Sequence, residues 1–145
     1  MSINPDVTVL NSIYRGASTG CQSISDLMPK TENSRFRSDL RTQEAQYRSI
    51  SAEAASKLAA LGHEPEPVSP LKKMGMKVSV EMNTMINDET SHLAQMMIQG
   101  STMGITTMTR VLNNYKDPDP DIKNLANRLL DLEHQNLERW KAYLH

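Results

Sequence analysis

An acid and an amide lie on the apolar face of the last predicted helix. Glu133 and Asn136 are three residues apart, and at ~100° per residue both fall near the middle of one stripe of apolar side chains. The other members of the stripe are Ile122, Leu125, Leu129, Leu137, Trp140 and Leu144. Burying an unpaired carboxylate is costly, so Glu133 needs a hydrogen-bond partner, a proton or a metal ion. The spacing Glu-x-x-Asn is close to the Glu-x-x-His motif of helical di-metal proteins.

A second pair, Glu89 and His92, has the Glu-x-x-His spacing itself. This spacing puts both side chains on adjoining parts of one helical face. The alternative is a first-turn glutamate stabilised by the helix dipole and a histidine that is solvated or hydrogen-bonded. We favour the alternative, because the sequence has no second Glu-x-x-His to complete a site for two metals.

Methionine is unusually common: eight of the ten methionines lie between Met74 and Met108. Their thioethers could bind Cu(I), as the segments Met74-Gly-Met76 and Met82-x-x-Met85 suggest. Alternatively, methionine fills irregular gaps in a helical core. Helical spacing favours the core interpretation for six of them: Met82, Met85, Met96, Met97, Met103 and Met108.

The charge balance excludes several classes of partner. Sixteen basic and seventeen acidic side chains give a formal charge of −1, so no whole-protein field attracts nucleic acid or an anionic membrane. No apolar run approaches the ~18 residues of a transmembrane helix. We therefore expect no nucleic-acid partner and no membrane insertion.

Cysteine usage and the N-terminus indicate a cytoplasmic protein. The one cysteine, Cys21, cannot form an internal disulfide, and no Cys-x-x-Cys motif occurs. It is more typical of a small core residue than of a nucleophile. Residues 1–10 lack both the basic start and the apolar segment of a signal peptide.

The sequence predicts an all-α domain comprising residues 1–145. No alternating strand pattern or hairpin turn occurs, whereas apolar residues recur at helical spacing. Proline, glycine and capping residues divide the pattern into five helices, at about 6–28, 31–61, 71–86, 88–115 and 119–144. The break between the third and fourth depends on Asn87-Asp88, a capping pair.

Four of these helices are long, and an antiparallel bundle buries their apolar stripes best. The connector at about 62–87 contains the short helix and is long enough to return along the bundle. An up-down-down-up arrangement is therefore expected.

Three stretches resemble small bacterial ferritin-like proteins of unknown function: Leu10-Asn11 with Gly16, Leu61-Gly62-His63-Glu64-Pro65, and the segment 91–104. The resemblance extends over nearly the whole chain. It implies a ferritin-like four-helix bundle with a long crossover, and a short extra helix, between the second and third long helices. Where that family is functional, it also implies two iron or manganese ions at mid-bundle. Their ligands would be one Glu from each of two helices and Glu-x-x-His from each of the other two.

The implied metal layer is poor in ligands. At ~1.5 Å per residue, Ala17, Gln43, Glu133, and Gln99 or Gly100 all fall about 16–18 Å from one end of the bundle. The groups expected to face inward are Tyr14, Ala17, Cys21, Gln43, Tyr47, Gly100 with Gln99 on its flank, Glu133 and Asn136. Only one carboxylate is among them, because Glu44 lies ~70° from the centre of its stripe. Two divalent ions need several anionic oxygens, so the sequence departs from the family at nearly every ligand.

These residues lead to two main functional hypotheses. In the first, Glu133 belongs to a buried hydrogen-bond network with Gln43, Tyr47, Asn136 and Tyr14, and the bundle is a non-catalytic structural or interaction protein without a cofactor. A homodimer through the Met-rich and Thr-rich faces of residues 96–109 belongs to this hypothesis, and no other protein partner is identified.

In the second, the chain is a metal-binding oxidoreductase or iron-storage-type protein. It would hold iron or manganese at a divergent site that uses Glu133, Glu44, Glu89 and His92. A third class, a carrier of an apolar ligand in a Met-lined interior, would require an internal cavity.

Overall fold

The computed structural model, which describes residues 4–145, is all α-helical. Five α-helices are α1 (Pro5–Leu27), α2 (Ser34–Ala60), α3 (Pro70–Ile86), α4 (Thr90–Asn114) and α5 (Pro120–Lys141), and a short 3-10 turn, Met28–Lys30, follows α1. The described range contains no strand. The all-α prediction is confirmed, and the helix ends differ from the predicted ones by at most three residues. The predicted domain includes residues 1–3, which lie outside the described residues.

Side-chain caps define where the helices begin. Asn33 Oδ1 accepts a hydrogen bond from Phe36 N at 2.9 Å, and Asp119 Oδ1 accepts one from Asp121 N at 3.0 Å. Each bond satisfies a backbone donor that the first turn of a helix leaves free. Because Asn33 is the cap, α2 begins at Ser34, three residues after the predicted start at about residue 31. Thr31 is extended and follows the 3-10 turn.

The predicted break between α3 and α4 is present at residues 87–89. Asn87 has extended dihedral angles, φ −157° and ψ 120°, and its Oδ1 accepts a hydrogen bond from Glu89 N at 2.9 Å. This break allows α4 to join the bundle while α3 packs against α1.

Contacts between distant residues give the directions of the four long helices. Asp119 N donates to Asp6 Oδ1 at 3.1 Å, so α5 begins beside the start of α1. Tyr143 OH donates to Asp39 Oδ2 at 2.5 Å, which places the end of α5 beside the first part of α2. Consequently α1 and α5 run one way, and α2 and α4 run the other. The two hairpins α1–α2 and α4–α5 make most of the contacts between helices.

The hydrophobic core lies between the four long helices, and α3 lies outside it. The inner side of α3 carries Val80, which packs against the core, and Thr84, which is buried. Lys30 Nζ also forms an ion pair with Glu81 at 2.7 Å. Ahead of α3, the extended connector is held by a 2.9 Å hydrogen bond from Glu66 N to Asn11 Oδ1. None of the helices in residues 4–145 combines the length and the apolar composition that a membrane-spanning helix requires.

The core interpretation of the methionines is correct only in part. Met97 and Met108 are buried, and Met96 is half-buried against the core. It is wrong for the exposed residues Met82, Met85 and Met103, which are 62%, 84% and 71% exposed. Met82 and Met85 are exposed because α3 lies outside the bundle and packs on it through one face only. These two residues lie on the other face of α3. The Cu(I) alternative stays a prediction.

Three aromatic rings close one end of the bundle. Phe36 on α2 lies with its ring centroid 5.0 Å from that of Trp140 on α5 and 5.0 Å from that of Tyr143. Phe36 and Trp140 are fully buried. Tilted and edge-to-face arrangements of this kind add to the stabilisation that comes from apolar burial.

We expect Phe36→Ala to lower the free energy of unfolding by about 3–5 kcal/mol, because it leaves a cavity beside Trp140. Tyr143→Phe keeps its ring and loses only the hydrogen bond to Asp39, so it should cost less, about 1–2 kcal/mol. Urea unfolding followed by circular dichroism measures both. Equal losses for the two variants would show that the ring cluster is not what stabilises this end.

Candidate functional site

A layer of buried polar side chains lies inside the bundle. Its members are Gln43 and Tyr47 on α2, Ser101 on α4, and Glu133 and Asn136 on α5, and each is at most 5% exposed. We call these five residues the polar layer. A buried polar group is stable only if it is hydrogen-bonded or uncharged, so the partners within the layer determine what it can do.

Tyr47 links the two polar residues of α5. Its hydroxyl donates a short hydrogen bond to Glu133 Oε1 and accepts one from Asn136 Nδ2 at 3.1 Å. Glu133 and Asn136 are three residues apart, and this spacing lets both side chains reach the same phenol. The structure therefore brings together three of the residues predicted for the site.

Two other residues predicted for this network lie differently. Gln43 is buried one turn before Tyr47, but its Oε1 has no hydrogen-bond partner among the described residues. Tyr14 is half-buried and packs against the hydrophobic core instead. The Ser101 hydroxyl is buried in the layer and also lacks a partner at hydrogen-bonding distance. Two buried oxygens of the layer thus have no hydrogen bond from residues 4–145.

Two glycines make room for the Tyr47–Glu133 pair. A Cβ on Gly104 would overlap Glu133 Oε2, and a Cβ on Gly20 would lie 2.8 Å from atoms of the Tyr47 ring. The predicted inward position of Gly100 is wrong, because Gly100 is exposed and a Cβ there would meet no atom within 4 Å. Gln99 is exposed as well. The prediction placed α4 about one turn out of register, since it assumed straight helices with level ends and an earlier start for α4.

Burial dominates the electrostatics of the layer. It raises the pKa of Glu133 to about 7 from its ordinary 4.5, while the hydrogen bond from Tyr47 acts in the opposite direction. Burial also raises the pKa of Tyr47 well above its ordinary range, and the nearby Glu133 charge raises it further. Tyr47 is consequently a neutral hydrogen-bond donor, and Glu133 is close to the middle of its titration at neutral pH.

The remaining candidate ligands lie away from this layer. Glu44 Oε1 forms an ion pair with Arg48 Nη2 at 2.8 Å, so the Glu44 side chain does not rotate inward. Glu89 is exposed and caps α4 without a side-chain bond. His92 is half-buried, and its Nε2 has no hydrogen-bond partner in the described range.

The donor set does not fit a centre for two metal ions. Glu133 is the only carboxylate in the polar layer, and its other members are amides, a phenol and a hydroxyl. Across residues 4–145, no three His, Cys, Asp or Glu side chains lie close enough together to hold one metal ion. Hard divalent ions such as Mn²⁺ need several anionic oxygens, which this layer does not provide.

Cys21 lies at the edge of the same region. It is half-buried, and its Sγ is 3.7 Å from the carbonyl oxygen of Glu44. Burial raises the pKa of the Cys21 thiol, with Arg48 acting in the opposite direction. A raised pKa reduces the thiolate that a nucleophile requires, so the thiol is suited to packing.

One surface groove of about 330 Å³ lies between α2 and α5. Its lining is mostly polar: Gln46, Ser49, Ile50, Arg128, Asp131, Leu132 and Gln135. It contains no methionine and opens on the surface. It is therefore not the Met-lined interior cavity that an apolar-ligand carrier would need.

The fold is similar to that of a solved structure, the crystal structure of a DUF305 fragment from Deinococcus radiodurans. The TM-score is 0.75 at 14% sequence identity, and the match covers 97% of this chain and 95% of that chain. At this identity the likeness shows the fold alone, an all-helical one shared with a protein of unknown function. Comparison with protein-family models and with curated proteins gives no match.

We expect stability to depend on pH through Glu133. Its pKa is higher in the folded chain than its ordinary 4.5, so the folded state binds the proton more tightly. The stability that this tighter proton binding provides is fully present below pH ~4.5 and is lost as pH rises through ~7. The free energy of unfolding should fall by roughly 2–4 kcal/mol over this range. Glu133→Gln cannot ionise, so it should gain stability relative to the parent over this range.

Urea unfolding of the parent and of Glu133→Gln at several pH values between about 5 and 8 measures this difference. Glu44→Gln is the matched control, because it removes a carboxylate outside the polar layer, and its difference from the parent should not show this trend. A Glu133→Gln difference that is independent of pH would contradict the raised pKa.

We expect Gly104→Ala to destabilise the fold by about 1–3 kcal/mol, because the new methyl group displaces the Glu133 carboxyl from Tyr47. Gly100→Ala is the control on the same helix, and it should stabilise by up to ~1 kcal/mol through helix propensity. In a Glu133→Ala background the cost of Gly104→Ala should largely disappear. A cost unchanged in that background, measured by urea unfolding, would show that Glu133 is not what position 104 accommodates.

Proposed function

We propose that this chain is a ferritin-like four-helix bundle whose centre serves packing rather than catalysis, and which works as a structural or interaction protein through its surface or by self-association. The directions of the helices support the ferritin-like part of this proposal. Because α2 and α4 run the same way, the connection between them must return along the bundle, and α3 lies within it. The resemblance of short sequence segments to ferritin-like proteins agrees with this arrangement.

The observation that carries the proposal is the state of Glu133. One carboxyl oxygen accepts the hydrogen bond from Tyr47, and the other lies against the backbone of α4 at Gly104. Ferritin-type centres take carboxylates from all four helices and imidazoles from two of them. Here α4 presents a glycine and a serine to the layer, so its contribution is space and a hydroxyl instead of a ligand.

The layer has a clear use in a protein without a metal centre. Tyr47 belongs to the α1–α2 hairpin, and Glu133 and Asn136 belong to the α4–α5 hairpin. Their hydrogen bonds form only when the two hairpins are correctly aligned, and a shift by one turn would leave a buried carboxyl group without a partner. Buried polar contacts of this kind select one alignment of packed helices even where their net stabilisation is small.

Metal analysis tests this proposal against the alternative of a metal-binding oxidoreductase or iron-storage-type protein. Protein purified without a chelating tag is incubated with iron or with manganese, in air and under anaerobic conditions, and then freed of unbound metal. We expect less than stoichiometric metal under every condition, and the same content in Glu133→Gln. The physical reason is that one carboxyl group with a raised pKa does not compensate two divalent charges.

Stoichiometric iron or manganese that Glu133→Gln abolishes would overturn the proposal in favour of the alternative. Glu44→Gln and His92→Asn are useful second variants, because they remove the other donors that a divergent site would use. Circular dichroism of each variant confirms that a loss of metal does not come from unfolding.

A further inference from the structure

The outer face of α3 is an exposed apolar stripe. Six residues form it, and they are 50–85% exposed: Leu71, Met74, Val78, Met82, Met85 and Ile86. At ~100° per residue they fall in one sector about 120° wide, and the opposite side of the helix packs on the bundle through Val80 and Thr84. We call these six residues the α3 stripe. An amphipathic helix normally buries its apolar face, whereas α3 turns this face outward.

The size of the stripe is informative. Taking ~100 Å² of apolar surface for a fully exposed side chain, the stripe presents roughly 400 Å². The largest apolar patch of a typical monomer is ~300–600 Å² and is often functional. It is also about half of the ~800 Å² that each partner buries in a standard interface. A partner that covers this stripe is therefore expected to exchange with the free protein.

The spacing of the stripe is symmetric about Val78. From Leu71 through Met74, Val78 and Met82 to Met85, the successive residues are three, four, four and three positions apart. A second α3 that runs in the opposite direction presents the same spacing. Such a pair places Leu71 opposite Met85 of the second copy, Met74 opposite Met82, and Val78 opposite its own counterpart.

The charges beside the stripe fit the same arrangement. Lys77 is exposed and takes part in no ion pair with residues 4–145. Glu81 lies one turn away on the same flank, and its side chain pairs with Lys30 but is still 44% exposed. In an antiparallel pair centred on Val78, Lys77 of each copy lies within one turn of Glu81 of the other. The basic start of α3 also lies toward the acidic residues that follow its end, Asp88 and Glu89. A parallel pair would instead place like charges side by side, which is unfavourable.

We propose that the α3 stripe is the contact between two copies of this chain, with the two α3 helices antiparallel about a two-fold axis at Val78. The proposal rests on the proposed function and deepens it by naming the surface of self-association. This surface differs from residues 96–109, the faces from which the sequence predicts a homodimer. A closed two-fold contact uses the same patch on both copies, and the symmetric spacing of the stripe meets this condition.

A membrane surface fits the stripe less well. Helices that lie in a membrane interface commonly carry aromatic residues on the apolar face and basic residues on the polar face. The exposed residues Lys72, Lys73 and Lys77 meet the second condition, but no residue of α3 is aromatic, and the exposed acidic residues Asp88 and Glu89 directly follow its apolar end. A second copy pairs these charges, whereas an anionic lipid surface repels them.

Sedimentation equilibrium of the full chain over a wide concentration range tests the contact. We expect a reversible dimer with a dissociation constant on the order of micromolar. Val78→Arg places two like charges at the axis and should raise that constant by more than about thirtyfold. Val78 is half exposed and outside the core, so the variant should fold, and circular dichroism checks this.

Met103→Arg is the matched control, since Met103 is an apolar residue on α4 that is 71% exposed, compared with 50% for Val78. It should leave the dissociation constant within about twofold of that of the parent. A dimer that Met103→Arg dissociates and Val78→Arg does not would overturn the proposal and favour the faces at 96–109.

Cysteine cross-linking tests the orientation. In a Cys21→Ser background, Val78→Cys should form a disulfide between copies in the presence of oxidised glutathione, which is reduced as the two thiols are oxidised. Leu71→Cys should not, because an antiparallel pair separates the two copies of residue 71 by about 21 Å along the helix axis, whereas a parallel pair would bring them together. Cross-linking of both variants at equal rates would indicate a parallel pair and overturn the proposal.

A chain that stays monomeric at all concentrations would also overturn the proposal. So would a monomer that binds anionic phospholipid vesicles through Val78, because the stripe would then face a membrane. Neither result changes the metal content, so a failure of the dimer is distinguishable from a failure of the non-catalytic function.

Discussion

The hydrogen bond between Tyr47 and Glu133 is the interaction on which the rest of the bundle depends. It joins the α1–α2 hairpin to the α4–α5 hairpin at a depth where neither group can turn to water. Two glycines leave the space that this hydrogen bond needs: Gly20 lies beside the phenol, and Gly104 lies beside the carboxyl group. Because burial raises the pKa of Glu133 to about 7, the carboxyl group is partly protonated at neutral pH, which lowers the cost of burying it.

Much of the fold could be predicted from the sequence, for reasons that particular residues make clear. Asn87 and Asp119 are capping residues at the break and at the start of α5, and each has a local effect that needs no knowledge of the tertiary structure. Helical periodicity is also a local signal, and it correctly placed Glu133 and Asn136 on the inner face of α5. The grouping of Tyr47 with them followed from the length of the helices and from their directions.

Two features could not be predicted, because both depend on how helices sit against each other. The first is the residue of α4 that faces Glu133: it is Gly104, whereas the sequence predicted Gly100. This difference of one turn reflects the offset along the bundle between α4 and α5. The spacing of Met97, Ser101, Gly104 and Met108 places these four residues on one face of a helix, but it does not show which of them lies level with Glu133. The outward direction of α3 is the second feature. Periodicity shows that α3 has one apolar face, but it does not show whether that face meets the bundle, since Val80 and Thr84 suffice to anchor the helix.

The two-hairpin architecture described above also determines how this chain acquires its structure. Most contacts between helices join α1 to α2 and α4 to α5, partners that are close together in sequence. Contacts of this kind close short loops and cost little chain entropy, which is typical of rapidly folding helical proteins. The costly step is the meeting of the two hairpins across the long connection that contains α3. The meeting of the two hairpins is therefore the part of folding in which chain entropy weighs most, and the phenol of Tyr47 lies at the surface where they meet.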